Sequence, residues 1–292
     1  MKQAAAANAA ATALESAVPP PARKSLGQNF LADPSAVTRI VEALGDVSQK
    51  NVIEIGPGRG ALTALLVRRA RHIIAIELDR VLAAQLRMKY ANTPNIEIIE
   101  ADILDIDFAS LLGPRPGRSV TGLAQPEIEK VEVVGNIPYY ITSDILLRLF
   151  QFHNLFECIV LMVQKEVADR IVAKPGTSDY GLLSATCQLY TKPQKLFTLP
   201  PGAFSPPPKV ESTVLRLTVE PRFDKLRVEP AAFIQFLRLS FGQKRKTLLN
   251  NLKQQYDPAA VRTALEKAKV APDVRAEALS LEKAAAVFRA LS

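Results

Sequence analysis

The sequence contains few of the residues on which disulfide scaffolds and metal centres depend. Its 292 residues include two cysteines, two histidines and no tryptophan. Two cysteines do not make a disulfide framework in a chain of this length, and Cys158 and Cys187 lie in apolar surroundings that predict small core residues. This cysteine usage is typical of a reducing compartment, so we expect a cytoplasmic protein. The scarcity of histidine and cysteine also argues against a structural zinc site, and no metal is predicted.

The sequence also lacks a long hydrophobic run. No apolar stretch approaches the ~18 residues that a membrane-spanning helix requires, so no membrane partner is predicted. With 48% hydrophobic and 23% charged residues, the chain is typical of globular proteins that bury a core. Its length allows roughly two domains. Residues 1–22 are rich in alanine and end in a proline run, which predicts a disordered extension, with a degenerate targeting peptide as the alternative.

Positive charge is concentrated near the C-terminus. Residues 221–292 hold 14 Lys and Arg against 7 Asp and Glu, whereas residues 1–220 hold 23 against 22. A nearly neutral body with a basic C-terminal region suits a polyanionic partner such as nucleic acid, although a solvated basic helical surface is the alternative. The densest basic cluster, Lys244, Arg245 and Lys246, is predicted to bind phosphates without reading bases.

Strands and helices alternate along the first 220 residues, and only helices follow. This order predicts a doubly wound α/β domain over residues 23–220 and a smaller α-helical domain over residues 221–292. Residues 113–130 are rich in glycine, proline and polar residues and are predicted to form an exposed insertion. Short apolar strands are predicted at 51–55, 73–76, 96–99, 131–134 and 158–163, with further strands at 197–199 and 214–217.

A glycine-rich turn, Gly56-Pro57-Gly58-Arg59-Gly60, directly follows the first of these strands and precedes a helix predicted over 61–71. Missing side chains let a ligand lie against the backbone, so this arrangement predicts nucleotide binding. The spacing of Gly56, Gly58 and Ala61 meets a loose dinucleotide fingerprint and does not separate NAD from S-adenosylmethionine (SAM). An NAD-dependent oxidoreductase is therefore one alternative, but it leaves the later motifs unexplained.

Acidic residues stand at the carboxyl ends of the next two strands. Glu77 lies about 20 residues past the first glycine and is predicted to accept both ribose hydroxyls of a nucleoside, with surface solvation as the alternative. Asp102 occupies the loop after the third strand. Its carboxylate could accept a hydrogen bond from the exocyclic amine of a bound adenine.

The stretch Asn136-Ile137-Pro138-Tyr139 follows an apolar strand that we expect to stop at Gly135. Loops at the carboxyl ends of α/β strands are where ligands bind. A side-chain amide oxygen and a backbone carbonyl can accept both hydrogens of an amino-heterocycle, and a tyrosine ring can stack on its face. A plain proline turn is the alternative for these four residues.

Three prolines fix an extended path after Phe204. That path could hold Phe204 as a second ring near the site and leave Lys209 free for phosphate, while core packing is the alternative for Phe204.

Six motifs occur in a fixed order along the chain. They are Gly27-Gln28-Asn29-Phe30-Leu31, Glu54-Ile55-Gly56-Pro57-Gly58-x-Gly60-x-Leu62-Thr63, Glu77, Asp102, Asn136-Ile137-Pro138-Tyr139 and Phe204-x-Pro206-x-Pro208-Lys209-Val210-x-Ser212. This ordered set makes the chain similar to the ribosomal RNA adenine N6-dimethyltransferase family.

The similarity extends over residues 24–252. Residues 244–252 resemble the small-subunit (KsgA-type) branch, whereas the erythromycin-resistance branch, which modifies large-subunit RNA, differs there. Ile137 departs from the leucine common in the small-subunit branch, and residues 113–130 are longer than typical.

The resemblance implies a Rossmann-like, SAM-dependent methyltransferase sheet in a monomeric enzyme. The implied substrate is a pair of neighbouring adenosines in a hairpin loop near the 3′ end of 16S RNA, each dimethylated during small-subunit biogenesis. A large-subunit enzyme of the macrolide-resistance type, a non-catalytic ribosome-assembly factor and a DNA adenine methyltransferase remain alternatives. SAM contacts are expected at Gln28, Asn29, Leu31, Gly56, Gly58, Glu77, Asp102 and Asn136.

The motifs also suggest how an adenine would be activated. The N6 lone pair is delocalised into the ring, which makes N6 a poor nucleophile. Our hypothesis is that the Asn136 oxygen and the Ile137 carbonyl accept its two hydrogens and favour a pyramidal nitrogen, through orientation and charge stabilisation rather than a strong base. Tyr139 and Phe204 would stack on the unstacked adenine.

Overall fold

The computed structural model describes residues 22–23, 27–113 and 129–292. The predicted N-terminal extension, residues 1–22, and the predicted insertion, residues 113–130, therefore lie almost wholly outside the described residues.

Nine strands form in the described residues. They are β1 Phe30–Leu31, β2 Asn51–Ile55, β3 His72–Glu77, β4 Ile96–Glu100, β5 Val131–Asn136, β6 Phe156–Gln164, β7 Thr191–Leu199, β8 Phe204–Ser205 and β9 Ser212–Val219. Seven of them form a mostly parallel sheet with strand order β4-β3-β2-β5-β6-β9-β7. The neighbours β2–β3, β2–β5, β3–β4 and β5–β6 pair in parallel. The short strands β1 and β8 pair with each other antiparallel.

The strand order creates a topological switch point between β2 and β5. From β2 the chain first adds β3 and β4 on one side, and then crosses to add β5 and β6 on the other. The crossovers diverge at this point and leave a crevice at the carboxyl ends of β2 and β5, which is where open α/β sheets bind ligands. The parallel strands β2, β3, β5 and β6 are mostly buried, as is typical of parallel sheets.

Helices flank the sheet and make up the C-terminal part of the described chain. The first begins as predicted: Asp33 Oδ1 accepts hydrogen bonds from the N–H groups of Ser35 (2.8 Å) and Ala36 (3.3 Å), and Pro34 occupies the first helical position. The helices are α1 Pro34–Glu42, α2 Thr63–Arg69, α3 Arg80–Lys89, α4 Phe108–Leu112, α5 Thr142–Gln151, α6 Lys165–Val172, α7 Leu182–Tyr190, α8 Phe223–Leu226, α9 Pro230–Ser240, α10 Leu248–Leu252, α11 Pro258–Lys267 and α12 Leu281–Leu291.

The ends of several elements differ from the predicted ones. Strand β5 continues through Gly135 and ends with Asn136, so this side chain belongs to the strand end itself. Helix α2 begins at Thr63 and not at Ala61. The physical reason is the glycine-rich turn, in which Gly58 and Gly60 have positive φ angles of 59° and 82° and delay the start of the right-handed helix.

Contacts divide the described chain into two compact units. The first contains the described residues up to Gln164 together with Leu196–Arg216, and the second contains Lys165–Lys195 and Leu217–Ser292. This division differs from the predicted boundary at residue 220, because α6 and α7 pack on each other and α7 contacts α9. Helix α7 is further joined to the linker by a hydrogen bond from the Arg222 N–H to the Leu189 carbonyl at 2.9 Å.

Each unit has its own hydrophobic packing. In the first unit the core lies between the sheet and helices such as α1, where Val37, Ile40 and Val41 are buried. In the second unit Phe233, Phe236 and Phe288 form an aromatic cluster with ring centroids 5.4–6.0 Å apart. Both cysteines are buried free thiols, as predicted. Within the described residues, every helix is too short or too polar to cross a membrane.

Candidate active site

A cavity opens at the carboxyl ends of β2, β3, β4 and β5. The cavity therefore occupies the switch point of the sheet, where the sequence places its motifs. The predicted site residues that line it are Gln28, Asn29, Gly56, Gly58, Glu77, Asp102, Asn136, Ile137, Pro138 and Tyr139.

The Glu77 carboxylate is fixed in the cavity wall by two backbone donors. Its Oε2 accepts the Gly58 N–H at 2.9 Å and its Oε1 accepts the Asp79 N–H at 2.9 Å. Burial raises the pKa of Glu77, and the Asp79 and Gly58 N–H groups oppose that shift. Because each carboxylate oxygen has two acceptor positions, both oxygens can still accept a hydroxyl of a bound ligand.

Asp79, for which no role is predicted from the sequence, organises the segment next to Glu77. Its Oδ1 accepts the Val81 N–H at 2.9 Å at the start of α3, and its Oδ2 accepts Gln28 Nε2 at 3.1 Å. Arg23 Nε lies 3.3 Å from the same Oδ2. The chain before β1 is thus attached to the end of β3. An aspartate immediately before a helix is a capping signal that could have identified it.

Asn136 is held in one orientation at the end of β5. Its Nδ2 donates a hydrogen bond to the backbone carbonyl of Asn29 at 2.9 Å. The preceding Gly135 allows close packing on β2, because a Cβ atom there would lie 2.7 Å from the Ile55 carbonyl oxygen. With its nitrogen engaged, the amide offers Oδ1 as an acceptor to a ligand in the cavity.

Tyr139 contributes a half-buried ring to the wall of the same cavity. It begins a short 3-10 turn, Tyr139–Ile141, directly after Pro138. Its hydroxyl is hydrogen bonded to the hydroxyl of Ser212 at the start of β9. Burial raises the pKa of Tyr139, so the hydroxyl is neutral at physiological pH. The ring is therefore positioned as a rigid apolar surface with its polar end already satisfied.

Asp102 follows β4 and lines the cavity opposite these motifs. Its Oδ1 accepts the Leu104 N–H at 2.9 Å and caps the 3-10 turn Ile103–Asp105. This turn leaves Oδ2 for an amine of a ligand. The contact with adenine stays a prediction.

Two predicted site residues do not line this cavity, although Leu31 lines a smaller pocket beside the glycine-rich turn. Leu31 and Phe204 are paired in the β1–β8 ladder, and both side chains belong to the hydrophobic core with Val37 and Leu199. Phe204 is only 4% exposed. The structure therefore places Phe204 in the core packing that was the alternative for it, and stacking on adenine would require this side chain to leave the core. The contact of Leu31 with SAM stays a prediction.

The four predicted RNA-binding residues are all exposed. Lys209 lies in the loop between β8 and β9. Lys244, Arg245 and Lys246 follow α9 in the second unit, where Lys244 Nζ donates to the Ser178 carbonyl at 3.0 Å. Exposure leaves these cations available to phosphate groups.

A buried carboxyl group supports the glycine-rich turn from below. Glu54 is 1% exposed in β2, and its Oε2 accepts the Thr63 hydroxyl at 2.7 Å. This hydrogen bond joins β2 to the first turn of α2 across the glycines. Burial raises the pKa of Glu54 to about 7, an effect that the nearby Glu77 carboxylate increases and Thr63 opposes. The sequence showed Glu54 as part of a motif but gave no signal of this role.

We expect Glu54→Gln to remove one component of the pH dependence of stability. The ordinary pKa of Glu54 is 4.5. Between pH 4.5 and about 7 the unfolded chain releases this proton while the folded chain keeps it, so the wild type loses stability as pH rises, by up to roughly 3 kcal/mol. Urea unfolding at pH 5 and pH 8 measures this. The free energy of unfolding of Glu54→Gln, relative to that of the wild type, should be higher at pH 8 than at pH 5. Parallel stability curves would contradict the shift.

Comparisons with known proteins agree with one another. The family model described as "Ribosomal RNA adenine dimethylase" matches residues 21–292. A protein of Koribacter versatilis named "Ribosomal RNA small subunit methyltransferase A" is 58% identical over 272 residues, covering 93% of this chain and 95% of the relative.

Solved structures add two similar folds. A dimethyladenosine transferase from Plasmodium falciparum has a TM-score of 0.67 and 26% identity, covering 88% of this chain and 95% of the other. The 23S rRNA methyltransferase ErmE has a TM-score of 0.64 and 29% identity, covering 90% of this chain and 99% of the other.

Proposed function

Because the chain belongs to the ribosomal RNA adenine dimethylase family, we propose that it is a SAM-dependent methyltransferase that dimethylates N6 of adenosines in 16S ribosomal RNA. The substrate we propose in detail is a pair of neighbouring adenosines in a hairpin loop near the 3′ end, modified by a cytoplasmic monomer during assembly of the small subunit. The observation that carries the proposal is the hydrogen bond from Asn136 to Asn29, which commits the amide nitrogen and offers the oxygen to an amine.

The residues of the cavity fit SAM. Gly56 and Gly58 have positive φ angles of 66° and 59°. Because they carry no side chain, a ligand can lie close to the backbone of the turn after β2. Glu77 would hold the ribose hydroxyls, and Asp102 would accept from the adenine amine. Asn29 and Gln28 line the same cavity. When bound, SAM supplies an activated methyl group on its sulfonium.

Asn136 and Ile137 would orient the target nitrogen. The Asn136 Oδ1 and the Ile137 carbonyl accept the two N6 hydrogens and turn the lone pair out of conjugation with the ring. Pro138 fixes the backbone after the Ile137 carbonyl. Fixed dipoles aimed at a nitrogen that gains positive charge stabilise the transition state without a strong base. Tyr139 would stack on the face of the extruded adenine.

The second methylation has fewer contacts available. The first transfer forms the N6–methyl bond as the sulfonium–methyl bond breaks, and the cationic nitrogen then releases one proton to solvent. The nitrogen keeps a single hydrogen, so only one of the two acceptors can still be used. Orientation must then come more from stacking on Tyr139 and from the wall of the cavity than from hydrogen bonds.

Phosphate binding is assigned to Lys209 and to the basic cluster 244–246. We expect changing Lys244, Arg245 and Lys246 together to alanine to weaken RNA binding and to lower its salt dependence, by roughly 2–3 units in the slope of log K against log salt. RNA affinity measured at several salt concentrations tests this. The matched control removes the same charge from exposed Lys253, Arg262 and Lys267. An equal effect in the control would show that only net charge matters.

The proposed reaction is tested with methyl-labelled SAM and two substrates, unmethylated small subunits and, in parallel, large subunits. Nucleoside analysis should find N6,N6-dimethyladenosine at two adjacent positions of small-subunit RNA. Label in large-subunit RNA would support the proposed reaction but would show that large-subunit RNA is the substrate. Absence of label from both, with SAM binding intact, would favour a non-catalytic assembly factor.

A further inference from the structure

One aromatic side chain at the mouth of the cavity has no role in the proposed reaction. Tyr140 is 62% exposed, and it lines the cavity. Among the large hydrophobic residues that are exposed in the described chain, only Leu78 shares that position, and only Tyr140 is aromatic. Single exposed hydrophobic residues are ordinary. The Tyr140 ring differs from these because it is both exposed and part of the cavity lining, where a ligand can contact it.

Two consecutive tyrosines in one turn differ in the burial of their side chains. Tyr139 is half-buried and its hydroxyl is bonded to Ser212, whereas Tyr140, in the same 3-10 turn, stays at the surface. The Tyr140 ring lies against the backbone at Gly27, because a Cβ atom on Gly27 would be 3.2 Å from Cε1 and 3.3 Å from Cδ1 of the ring. Gly27 has a φ angle of 60°, so a side chain is disfavoured there and the ring keeps its support.

Extrusion of a base explains why a second ring is useful. A nucleotide whose base enters the cavity leaves its neighbour without a stacking partner on one side. An aromatic ring at the rim can replace that partner, since base–aromatic stacking is tolerant of base identity. Because consecutive residues lie only about 3.8 Å apart at Cα, Tyr140 is adjacent to the ring that would hold the target adenine.

We propose that Tyr140 is a positioning residue that stacks on the unpaired nucleotide next to the target adenosine. This inference rests on the proposed function and extends it to a second nucleotide. It predicts that the enzyme prefers an unpaired neighbour with an intact base over one without a base.

The absence of tryptophan from the chain gives a direct test of stacking. Tyr140→Trp introduces a single indole at the rim, and Met88→Trp introduces one at an equally exposed position (61% against 62%) outside the cavity lining. An RNA hairpin with two adjacent unpaired adenosines, added with S-adenosylhomocysteine, should quench emission only in Tyr140→Trp. Removing the base of the neighbouring nucleotide should abolish the quenching while anisotropy of labelled RNA still reports binding.

Activity on unmethylated small subunits provides the second measurement. Tyr140→Ala should lower kcat/KM for the subunit about tenfold, the factor equivalent to ~1.4 kcal/mol, and Tyr140→Phe should restore it because the ring is what stacks. SAM affinity should stay unchanged. Methylation by Tyr140→Ala at the wild-type rate would overturn the proposal, and so would quenching by S-adenosylhomocysteine alone, which would assign the ring to the cofactor.

The proposed function and the role of Tyr140 can be overturned separately. If the wild-type protein transferred no methyl group to small subunits, the proposed function would be overturned. If the wild-type protein methylated small subunits normally, but RNA bound to Tyr140→Trp without quenching its emission, only the proposed role of Tyr140 would be overturned.

Discussion

We expect Asn136→Ala to lower methyl-transfer turnover about 100- to 1,000-fold, the effect typical of removing one preorganised polar group from an active site. The amide nitrogen is bonded to the Asn29 carbonyl at 2.9 Å, and the oxygen is the acceptor that would hold an N6 hydrogen. Alanine removes that acceptor, so the lone pair of N6 stays conjugated with the ring. SAM affinity should change by no more than a few-fold, because Glu77 and the glycine-rich turn remain.

Single-turnover methylation of small subunits measures this effect apart from product release. Asn95→Ala is a matched control, since its Nδ2 also donates to backbone carbonyls, those of Val67 and Ala70, both at 3.1 Å, but it does not line the cavity. The control should lose stability and keep its turnover per folded molecule. Turnover near the wild-type rate in Asn136→Ala would show that the amide is only a structural tether.

The location of the cavity could be predicted because the residues that line it belong to local motifs. Each main motif directly follows an apolar strand, and the carboxyl ends of parallel strands meet at one edge of a sheet. A correct strand assignment was therefore enough to predict that three residues lie at this edge: Gly56 after β2, Glu77 at the end of β3 and Asn136 at the end of β5. All three line the cavity.

The positions of Leu31 and Phe204 could not be predicted in the same way. These residues pair across strands of two residues each, which are separated by more than 170 positions in the chain. Such short strands carry no periodicity, and the burial of Phe204 depends on this long-range pairing. The same limit applies to α6 and α7, which precede residue 220 in sequence but pack with the second unit.

Burial also decides roles that residue type alone does not reveal. Glu54 and Glu77 are both acids in or at the end of a strand, and both are buried. Glu54 is joined to Thr63 beneath the glycine-rich turn, whereas Glu77 lines the cavity. The contacts of each carboxylate therefore distinguish the two roles: Glu54 supports the glycine-rich turn, and Glu77 is positioned to contact a ligand.

Glu77→Gln should weaken SAM binding about 100-fold, which corresponds to ~2.7 kcal/mol. In the wild type both carboxylate oxygens accept backbone N–H groups, from Gly58 and from Asp79. A glutamine replaces one of these oxygens with an NH2 donor, so one N–H faces another donor and loses its partner, at about 1–3 kcal/mol. The charged acceptor for the ribose hydroxyls is lost as well, so the loss of affinity should exceed the loss of stability.

Isothermal titration calorimetry with SAM, together with thermal unfolding, separates these two effects. Glu100→Gln is the matched control, because Glu100 pairs in register with Glu77 on the neighbouring strand and lies outside the cavity lining. Its exposed ion pair with Arg87, at 3.1 Å, contributes at most about 1 kcal/mol, so its SAM affinity should equal that of the wild type. If Glu77→Gln bound SAM as tightly as Glu100→Gln while unfolding at a lower temperature, Glu77 would serve the turn alone. A fall in affinity in the first variant only would instead assign the ribose hydroxyls to Glu77, because both variants remove one carboxylate from the same edge of the sheet.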